Sequence, residues 1–372
     1  MIDFDIAVIG AGIAGSAVAL AAAGQHRVLL VDEGVGTDDC RPIDVLVPGA
    51  RELLVDLALL KDVNRMARSV CLGQSYWWGT DQARITDYRF DENGTGWHLD
   101  PRALEQRLRR RAVLRGARLL ASSRLVSISG GDGGWSLRLQ GDGHNVTAQA
   151  RLLVDATGER SSVARHLGVE RRVLDTFELF GLTGVVRDET AWRGFTLTES
   201  VRDGWWQCAP LDGLRRRMLT FHTGSGSGSQ ISAPDLYDRA VSLRGMGPEL
   251  RRMRFLAAPA LIRRQSRCSA LRSFAGRAWL AVGDAAATFD PLEGGGLLHG
   301  LRSAGCAARA CDAHLAGNGL ALQDYGEALE AEIARSQADR MAVYGAECRW
   351  PESTFWASRQ TMERRMNERV AA

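Results

Sequence analysis

Apolar residues dominate Phe4–Ile9, recur in an Ala-rich helical stretch at Gly12–Ala23, and return as a second apolar run at Arg27–Val31. A strand, a helix and a strand in that order predict a βαβ opening and a mostly parallel sheet. Helical apolar spacing follows Pro48 within Arg41–Leu60, and Arg51–Val63 reads as one helix. A Gly-rich turn at Asn93–Gly96 precedes a strand, Trp97–Leu99, and a helix, Pro101–Leu114, whose proline stands where a first helical turn tolerates it. Between 117 and 154 the runs Arg118–Leu120, Leu125–Ser129, Trp135–Leu139 and Val146–Val154, broken by Gly130–Gly134, predict antiparallel strands added to the first unit. From about 176 to 264 the pattern changes to short strands, Gly181–Arg187, Phe195–Ser200, Gly204–Pro210 and Arg217–His222, which predict a second, sheet-based domain. Gly224–Ser229, alternating Gly and Ser, reads as a surface loop. Trp279–Val282 returns to a buried strand, Leu297–Leu315 is a long helix rich in small residues, and the tail from about 322 to 372 is helical and amphipathic.

Length and composition narrow this picture. A chain of 372 residues suits two intertwined α/β units. Hydrophobic residues make up 45% and charged residues 24%, as in an ordinary globular protein, and the longest apolar stretch, Ala17–Ala23, is too short to span a bilayer. The acidic start Met1–Asp5 lacks the basic region of a secretory signal, so a cytoplasmic location is expected. Cysteines at 40, 71, 208, 268, 306, 311 and 348 are scattered without metal-ligand spacing, which predicts reduced thiols and no metal site. A net charge of +3, with Arg clusters at 107–111, 215–217 and 251–254 that lack interleaved aromatics, argues against nucleic acid as partner. Lys61 is the only lysine.

The first motif is Gly10-Ala11-Gly12-Ile13-Ala14-Gly15. Gly10 permits the tight strand-to-helix turn, Gly12 lets backbone approach a phosphate, and Gly15 lets helix and strand pack closely. Free N–H groups at the helix start then face an anion. Asp32, about 20 residues on at the end of the next strand, is placed to accept from ribose hydroxyls, with Glu33 as the alternative. The motif therefore predicts a dinucleotide.

A distant segment, Trp279-Leu-Ala-Val-Gly283-Asp284 followed by Asp290-Pro291-Leu-Glu-Gly294-Gly295-Gly296, again joins a strand to a helix. It resembles the G-D-A-A-x-x-x-x-P-x-x-G-x-G stretch of glutathione-reductase-type flavoproteins, in the branch of para-hydroxybenzoate hydroxylase and the tryptophan halogenases. The resemblance implies FAD. Asp284 would then meet the ribitol or pyrophosphate, Pro291 would lie near the flavin ring, and the N–H groups of Gly294–Gly296 would face the flavin N1–C2 carbonyl, where a helix N-terminus suits the charge of a reduced flavin. In the same branch the position matching Arg102, in Trp97-His98-Leu99-Asp100-Pro101-Arg102, contacts the FAD phosphates, and Arg41 joins Arg102 in the expected cofactor set. Leu152–Ser161 resembles a mid-chain motif that meets both FAD and NAD(P)H in aromatic hydroxylases, with Thr157 where that motif carries aspartate. Either NAD(P)H or a separate flavin reductase is the expected electron source. The implied fold is α/β: a discontinuous Rossmann-type FAD domain over 1–75, 98–175 and 265–325, a mainly antiparallel sheet domain over 76–97 and 176–264, and a helical segment over 326–372.

Tryptophan halogenases carry G-W-x-W-x-I-P where this chain has Gly204-Trp205-Trp206-Gln207-Cys208-Ala209-Pro210. Gln207 replaces the second Trp and Ala209 the Ile. Their lysine, within Lys-Leu-Gly, best matches Cys71-Leu72-Gly73, so the ammonium is missing. The stretches Gly73–Gly79 and Asn93–Asp100 are similar to flavoproteins that hydroxylate tryptophan in tryptophylquinone assembly.

These resemblances imply O2 as co-substrate and a flavin C4a-hydroperoxide that hydroxylates an electron-rich aromatic ring, free or within a peptide or protein. Trp77, Trp78, Trp205 and Gln207 are the expected pocket residues. His299 and His98 are the candidate acid–base groups, because imidazole titrates near working pH. A halogenase, a reductase or dehydrogenase of an isoprenoid-like substrate, and a non-enzymatic FAD-stabilised partner-binding protein stand as the alternatives.

Overall fold

A computed structural model describes residues 3–34, 44–131, 133–141, 143–187, 192–212, 215–226, 231–258 and 260–360. Arg41 of the expected cofactor set lies outside the described residues, as does the end of the tail from 361.

The chain forms an α/β fold around three sheets. In the first, β1 (Phe4–Ile9) lies parallel between β2 (Val28–Val31) and the far end of β11 (His144–Asp155). The small sheet joins β3 (Asp44–Leu46), β4 (Ser69–Cys71) and β7 (Gly96–Leu99). The third and largest holds β5 (Gly73–Trp77), β6 (Arg84–Asp87) and most strands after residue 170. In the first sheet, β8 (Arg118–Leu120) extends the parallel run beyond β2, while β9 (Ser123–Gly131) and β10 (Gly134–Gly141) form the antiparallel meander on the near end of β11. All four residues of β2 are buried, as continuous apolar strands in a covered parallel sheet must be.

The helices α1 (Ile13–Ala22), α2 (Arg51–Asp56), α3 (Leu60–Met66), α4 (Pro101–Leu114) and α5 (Ser162–His166) belong to this half. Asp100 fixes the start of α4: its Oδ1 accepts from the Arg102 N–H at 3.0 Å, and Pro101 follows as the first helical residue. The single helix expected over Arg51–Val63 is two. Ala58 takes a left-handed φ of 53°, and the Leu59 N–H reaches back to the Leu54 carbonyl at 2.6 Å. That closing bond and the buried Leu54 and Leu59 side chains end α2, so local apolar contact overrides helical spacing.

The nine-stranded sheet runs in the order β20 (Ala287–Thr288), β17 (Ile262–Leu271), β12 (Arg171–Val185), β15 (Arg216–Gly224), β14 (Gly204–Asp212), β13 (Phe195–Val201), β5, β6, with β16 (Leu256–Ala257) beside β12. Only β5 and β13 pair in parallel. Alternation divides its faces. Phe180, Leu182, Leu197, Trp206, Leu219 and Phe221 form one core with α6 (Ala233–Val241) and α7 (Met246–Arg252). The register sets Tyr76, Thr198, Gln207 and Thr220 across neighbouring strands on the opposite face, with Trp205 beside His222.

The chain then returns to the first sheet through β18 (Ala275–Gly276) and β19 (Trp279–Ala281), and ends in α8 (Gly296–Leu315) and α9 (Ala321–Gly345). Pro351 falls between α9 and a last helical stretch at 354–360. An aromatic cluster of Trp78, Phe177, Trp205, Tyr344, Phe355 and Trp356 joins the large sheet to this C-terminal segment. Trp356 is fully buried there, with its Nε1 donating to the Val201 carbonyl at 2.9 Å. Trp356→Ala is expected to lower unfolding free energy in urea by about 3–5 kcal/mol; a loss under about 1 kcal/mol would mean the seam is not a stabilising core.

Candidate cofactor and substrate site

The turn after β1 is built on two close backbone approaches. Gly10 has φ +107°, and a Cβ there would lie 2.1 Å from the Ala156 carbonyl oxygen. A Cβ on Gly15 would lie 2.0 Å from the Gly10 carbonyl oxygen. Gly12 differs: the nearest atom to its missing side chain, Glu105 Oε2, is 4.0 Å away. Gly12 also caps α1, which has no side-chain cap and no acidic residue in its first turn. A side chain at Gly12 would therefore enter space beside the α1 N-terminus that the protein leaves largely open. Ala14 points elsewhere, its Cβ against Gly283 and Gly300 of the second motif.

Asp32 follows β2 and accepts from the Gly34 N–H at 3.1 Å and from Arg109 Nη1. Arg109 was not among the expected residues; its spacing of seven from Arg102, two turns of one helix, is the signal that could have found it. Arg102 is half-buried in the first turn of α4, which packs on α1. Glu33 is more exposed and pairs with Arg160 at 2.8 Å.

In the second motif, Gly283 takes φ +55° beside Ala14, and its N–H donates to Ser303 Oγ at 3.0 Å. The Asp284 side chain is exposed, while its carbonyl accepts from Arg171 Nη2 at 2.5 Å. Arg171 also reaches the Ala285 carbonyl and the Ser269 hydroxyl, so one guanidinium ties this turn to the large sheet. Burial pushes the Asp44 carboxyl up to about 6, and Asp284 nearby adds to the shift. Gly294 has φ +59°, and a side chain on Gly294 or Gly296 would meet nothing within 4 Å. Gly295 caps α8, which like α1 has neither a side-chain cap nor an acidic first turn.

Two helix N-termini capped by glycine, with room at Gly12 on one and at Gly294 and Gly296 on the other, fit a long dinucleotide with a phosphate at one end and a ring that gathers negative charge at the other. Thr157 also has a structural account: its hydroxyl donates to Asp155 at 2.6 Å and accepts from the Ser162 N–H at 2.6 Å.

Residues 3–346 match the FAD binding domain family. The chain belongs to that family. It is an FAD-dependent oxidoreductase. The putative FAD-dependent oxidoreductase LodB of Marinomonas mediterranea is 25% identical, over 96% of this chain and 97% of its own. The same fold occurs in the myxobacterial chondrochloren halogenase CndH, with a TM-score of 0.81 at 22% identity over 99% of this chain and 89% of that one. It occurs also in the peptidyl tryptophan dihydroxylase QhpG, with a TM-score of 0.73 at 24% identity over 96% and 79%. Among the described residues no helix is long and apolar enough to cross a membrane, and no group of three metal-ligand side chains gathers.

The two histidines are placed differently. His299 stacks on Phe289 with centroids 3.8 Å apart, and its Nδ1 lies 2.8 Å from Glu332 Oε1 of α9. His98 is fully buried on β7, with Nδ1 3.0 Å from Ser69 Oγ and no protein partner on Nε2. Burial and the nearby Arg217 charge push the His98 imidazole down to about 3. It is therefore neutral near pH 7.

Three of the four expected pocket residues gather on one side of the large sheet, Trp78 and Trp205 in one aromatic cluster and Gln207 on the Trp205 face, whereas Trp77 does not join them. Trp77 lies on the α6–α7 side of the large sheet, edge-on to Trp192, and Trp78 sits in the C-terminal aromatic cluster with Nε1 2.7 Å from the Val343 carbonyl. Trp205 and Gln207 do share the opposite face, where Trp205 stacks on His222 at 3.7 Å. Tyr76, Thr198 and Thr220 on that face were not singled out, since only strand register makes them neighbours of Gln207.

Gly12→Val places a side chain in space the protein leaves open. The expected result is an apoprotein that melts as the parent does but purifies without visible flavin absorbance and fails to take up FAD in titration; retained flavin would remove Gly12 from the phosphate site. A second expectation concerns pH. An unfolded His98 takes up a proton near 6.5, whereas the folded one resists it down to about 3. Its contribution to stability is thus full above pH 6.5 and is lost as the pH falls toward 3. Urea unfolding at pH 7 and pH 5 is expected to show a smaller acid loss in His98→Gln than in the parent; equal losses would count against a neutral buried imidazole.

Proposed function

We propose that this chain is an FAD-dependent monooxygenase that places one oxygen atom of O2 on an electron-rich aromatic ring, indole-like or phenolic, either free or within a peptide. The observation that carries this reading is the polar face of the large sheet. Tyr76, Thr198, Gln207 and Thr220 offer neutral hydrogen-bonding groups beside the stacked Trp205–His222 pair. Leu292, from the loop leading to Gly294–Gly296, packs on the aromatic cluster that contains Trp205. A planar substrate held on this face would lie toward the α8 N-terminus.

Bound FAD would supply the electrons that activate O2. NAD(P)H or a separate reductase would replenish those electrons. For its part the chain binds, orients and shields. Gly12, in a turn that Gly10 and Gly15 make possible, would admit the pyrophosphate to the α1 N-terminus, Asp32 would accept from the ribose, and Arg102 would meet phosphate. Asp284, Pro291 and Gly294–Gly296 would hold the ribitol and ring, with the α8 N-terminus favouring negative charge there. Gln207 and its threonine neighbours would accept a ring N–H or O–H and fix the ring's angle, while the aromatic seam keeps water out. His98, fully buried and neutral, is held on the small sheet by Ser69. His299, bound to Glu332, serves the α8 start.

The halogenase reading has less support. Cys71 stands where the halogenase lysine is expected, fully buried, with its thiol pushed up to about 11 by burial. Lys61 is exposed on α3. QhpG, whose name describes dihydroxylation of peptidyl tryptophan, shares this fold, and that supports the hydroxylation reading.

Turnover of indole, tryptophan-containing peptides and phenols under labelled O2 is expected to give product carrying one labelled oxygen. Unlabelled product would sink the monooxygenase reading, and halide incorporation would replace it. Gln207→Leu is expected to raise KM roughly tenfold, about 1.4 kcal/mol, with a smaller change in kcat. An unchanged KM would move the substrate off this face.

A further inference from the structure

One stripe of α9 grips the loop that precedes the α8 N-terminus. Glu332, Ser336, Arg340 and Tyr344 recur every four residues, and each reaches forward to that loop or to the first turns of α8. Glu332 binds His299 at 2.8 Å and Arg302 at 3.1 Å. Ser336 Oγ donates to Glu293 Oε2 at 2.6 Å. Arg340 Nε donates to Asp290 Oδ2 at 2.6 Å, and the Tyr344 hydroxyl lies 3.4 Å from Asp290 Oδ1. Asp290 in turn accepts from the Leu292 N–H at 2.9 Å, which bends the chain into the short turn Pro291–Glu293 just before Gly294.

The central pair of this stripe is shut away from water. Asp290 is 2% exposed and Arg340 6%. Arg340 also binds Asp175 of β12, which takes a second guanidinium from Arg359 at 3.0 Å. The loop, the large sheet and the C-terminal helical stretch therefore meet in one buried network of two carboxylates and two guanidiniums. Burial works against the Arg340 charge, but Asp290 and Asp175 more than offset it and hold the guanidinium above its usual range. A buried ion pair adds little net stability compared with apolar packing, and its better attested use is to specify one geometry. Four polar contacts in register along one helix face restrict the direction in which the following glycine N–H groups point, as supporting contacts behind a binding site do.

We propose that Arg340 is a positioning residue for the cofactor: through Asp290 it fixes the Pro291–Gly296 turn, so that flavin affinity and the flavin's environment are set from α9. The proposal rests on the reading that Gly294–Gly296 meets the flavin. It extends that reading to a helix with no glycine motif of its own.

Four variants test it in the full-length chain. Asp290→Asn keeps an acceptor for the Leu292 N–H but removes the ion pair, Arg340→Gln removes the guanidinium, and Arg340→Lys keeps a charge within reach of Asp290. Gly296→Val fills space that the protein leaves open and so reports on the underlying reading. The readouts are apoprotein melting, FAD dissociation constant by titration, and the visible absorption and circular dichroism of the flavin at saturating FAD.

Asp290→Asn and Arg340→Gln are expected to raise the FAD dissociation constant roughly tenfold, as loss of a supporting contact behind a binding shell does, and to shift the saturated flavin spectrum; Arg340→Lys recovers part of both. If Gly296→Val weakens FAD but folded Asp290→Asn and Arg340→Gln bind it with parental affinity and spectrum, the inference is overturned and the reading of the glycine run stands. Should these two only melt earlier, with an unaltered spectrum at saturation, Arg340 is structural and the inference again fails. Parental FAD affinity in Gly296→Val would overturn the reading itself, and the inference with it. Because Arg340→Gln leaves buried carboxylates, Asp290→Asn carries the test if that variant does not fold.

Discussion

The contact of Ala14 with Gly283 and Gly300 is the constraint on which the site depends. It brings the first turn of α1 against the second turn of α8 and the Gly283 turn, with the Ala14 methyl group at the contact. Two helix N-termini close in space repel one another's partial positive charge unless something anionic lies between or beside them. The N-cap residue at each end is a glycine, which brings no anionic side chain of its own and leaves room for an anionic ligand. Every larger feature follows from this closeness: the sheet order sets β1 and β19 on either side of β11, and each strand then delivers its glycine turn to the same edge.

The nucleotide half was legible because its signals are local. Gly10, Gly12 and Gly15 each need backbone freedom or absent bulk for reasons contained in a few residues, and Asp32 lies one strand away. The same holds for Gly283 and Gly294. What the sequence could not yield was contact set by register or by distant packing. Arg109 reaches Asp32 across 77 residues and Arg171 reaches Asp284 across 113, without a motif to mark either. Trp77 and Trp78 are adjacent in sequence yet serve different cores, because the strand ends between them and alternation sends Trp77 to the helix-covered face. The split of α2 from α3 was hidden for a related reason: Leu53, Leu57 and Leu60 keep helical spacing across a helix end that Leu54 and Leu59 close.

The two faces of the large sheet show how one scaffold separates stability from recognition. One side buries Phe, Leu and Trp against α6 and α7 and tolerates little change in volume. The other carries hydroxyls and an amide on neighbouring strands at fixed spacing. Strands hold such groups more rigidly than loops do, and a sheet can vary them without disturbing the opposite core. Relatives at about a quarter identity retain the architecture, which is the level of divergence such a division permits.

The network joining Asp290, Arg340, Asp175 and Arg359 also bears on the order of assembly. During synthesis the N-terminal βαβ unit emerges first, but β1 lacks its neighbour β11 until the chain has passed residue 150, and the turn at Pro291 lacks its anchor until α9 and Arg359 have emerged. The phosphate end of the cofactor cradle can therefore take shape on the ribosome well before the ring end. A nascent chain halted before α9 would hold half a binding site and expose the two carboxylates meant for burial. The last helix is thus the piece that turns a folded scaffold into a finished one.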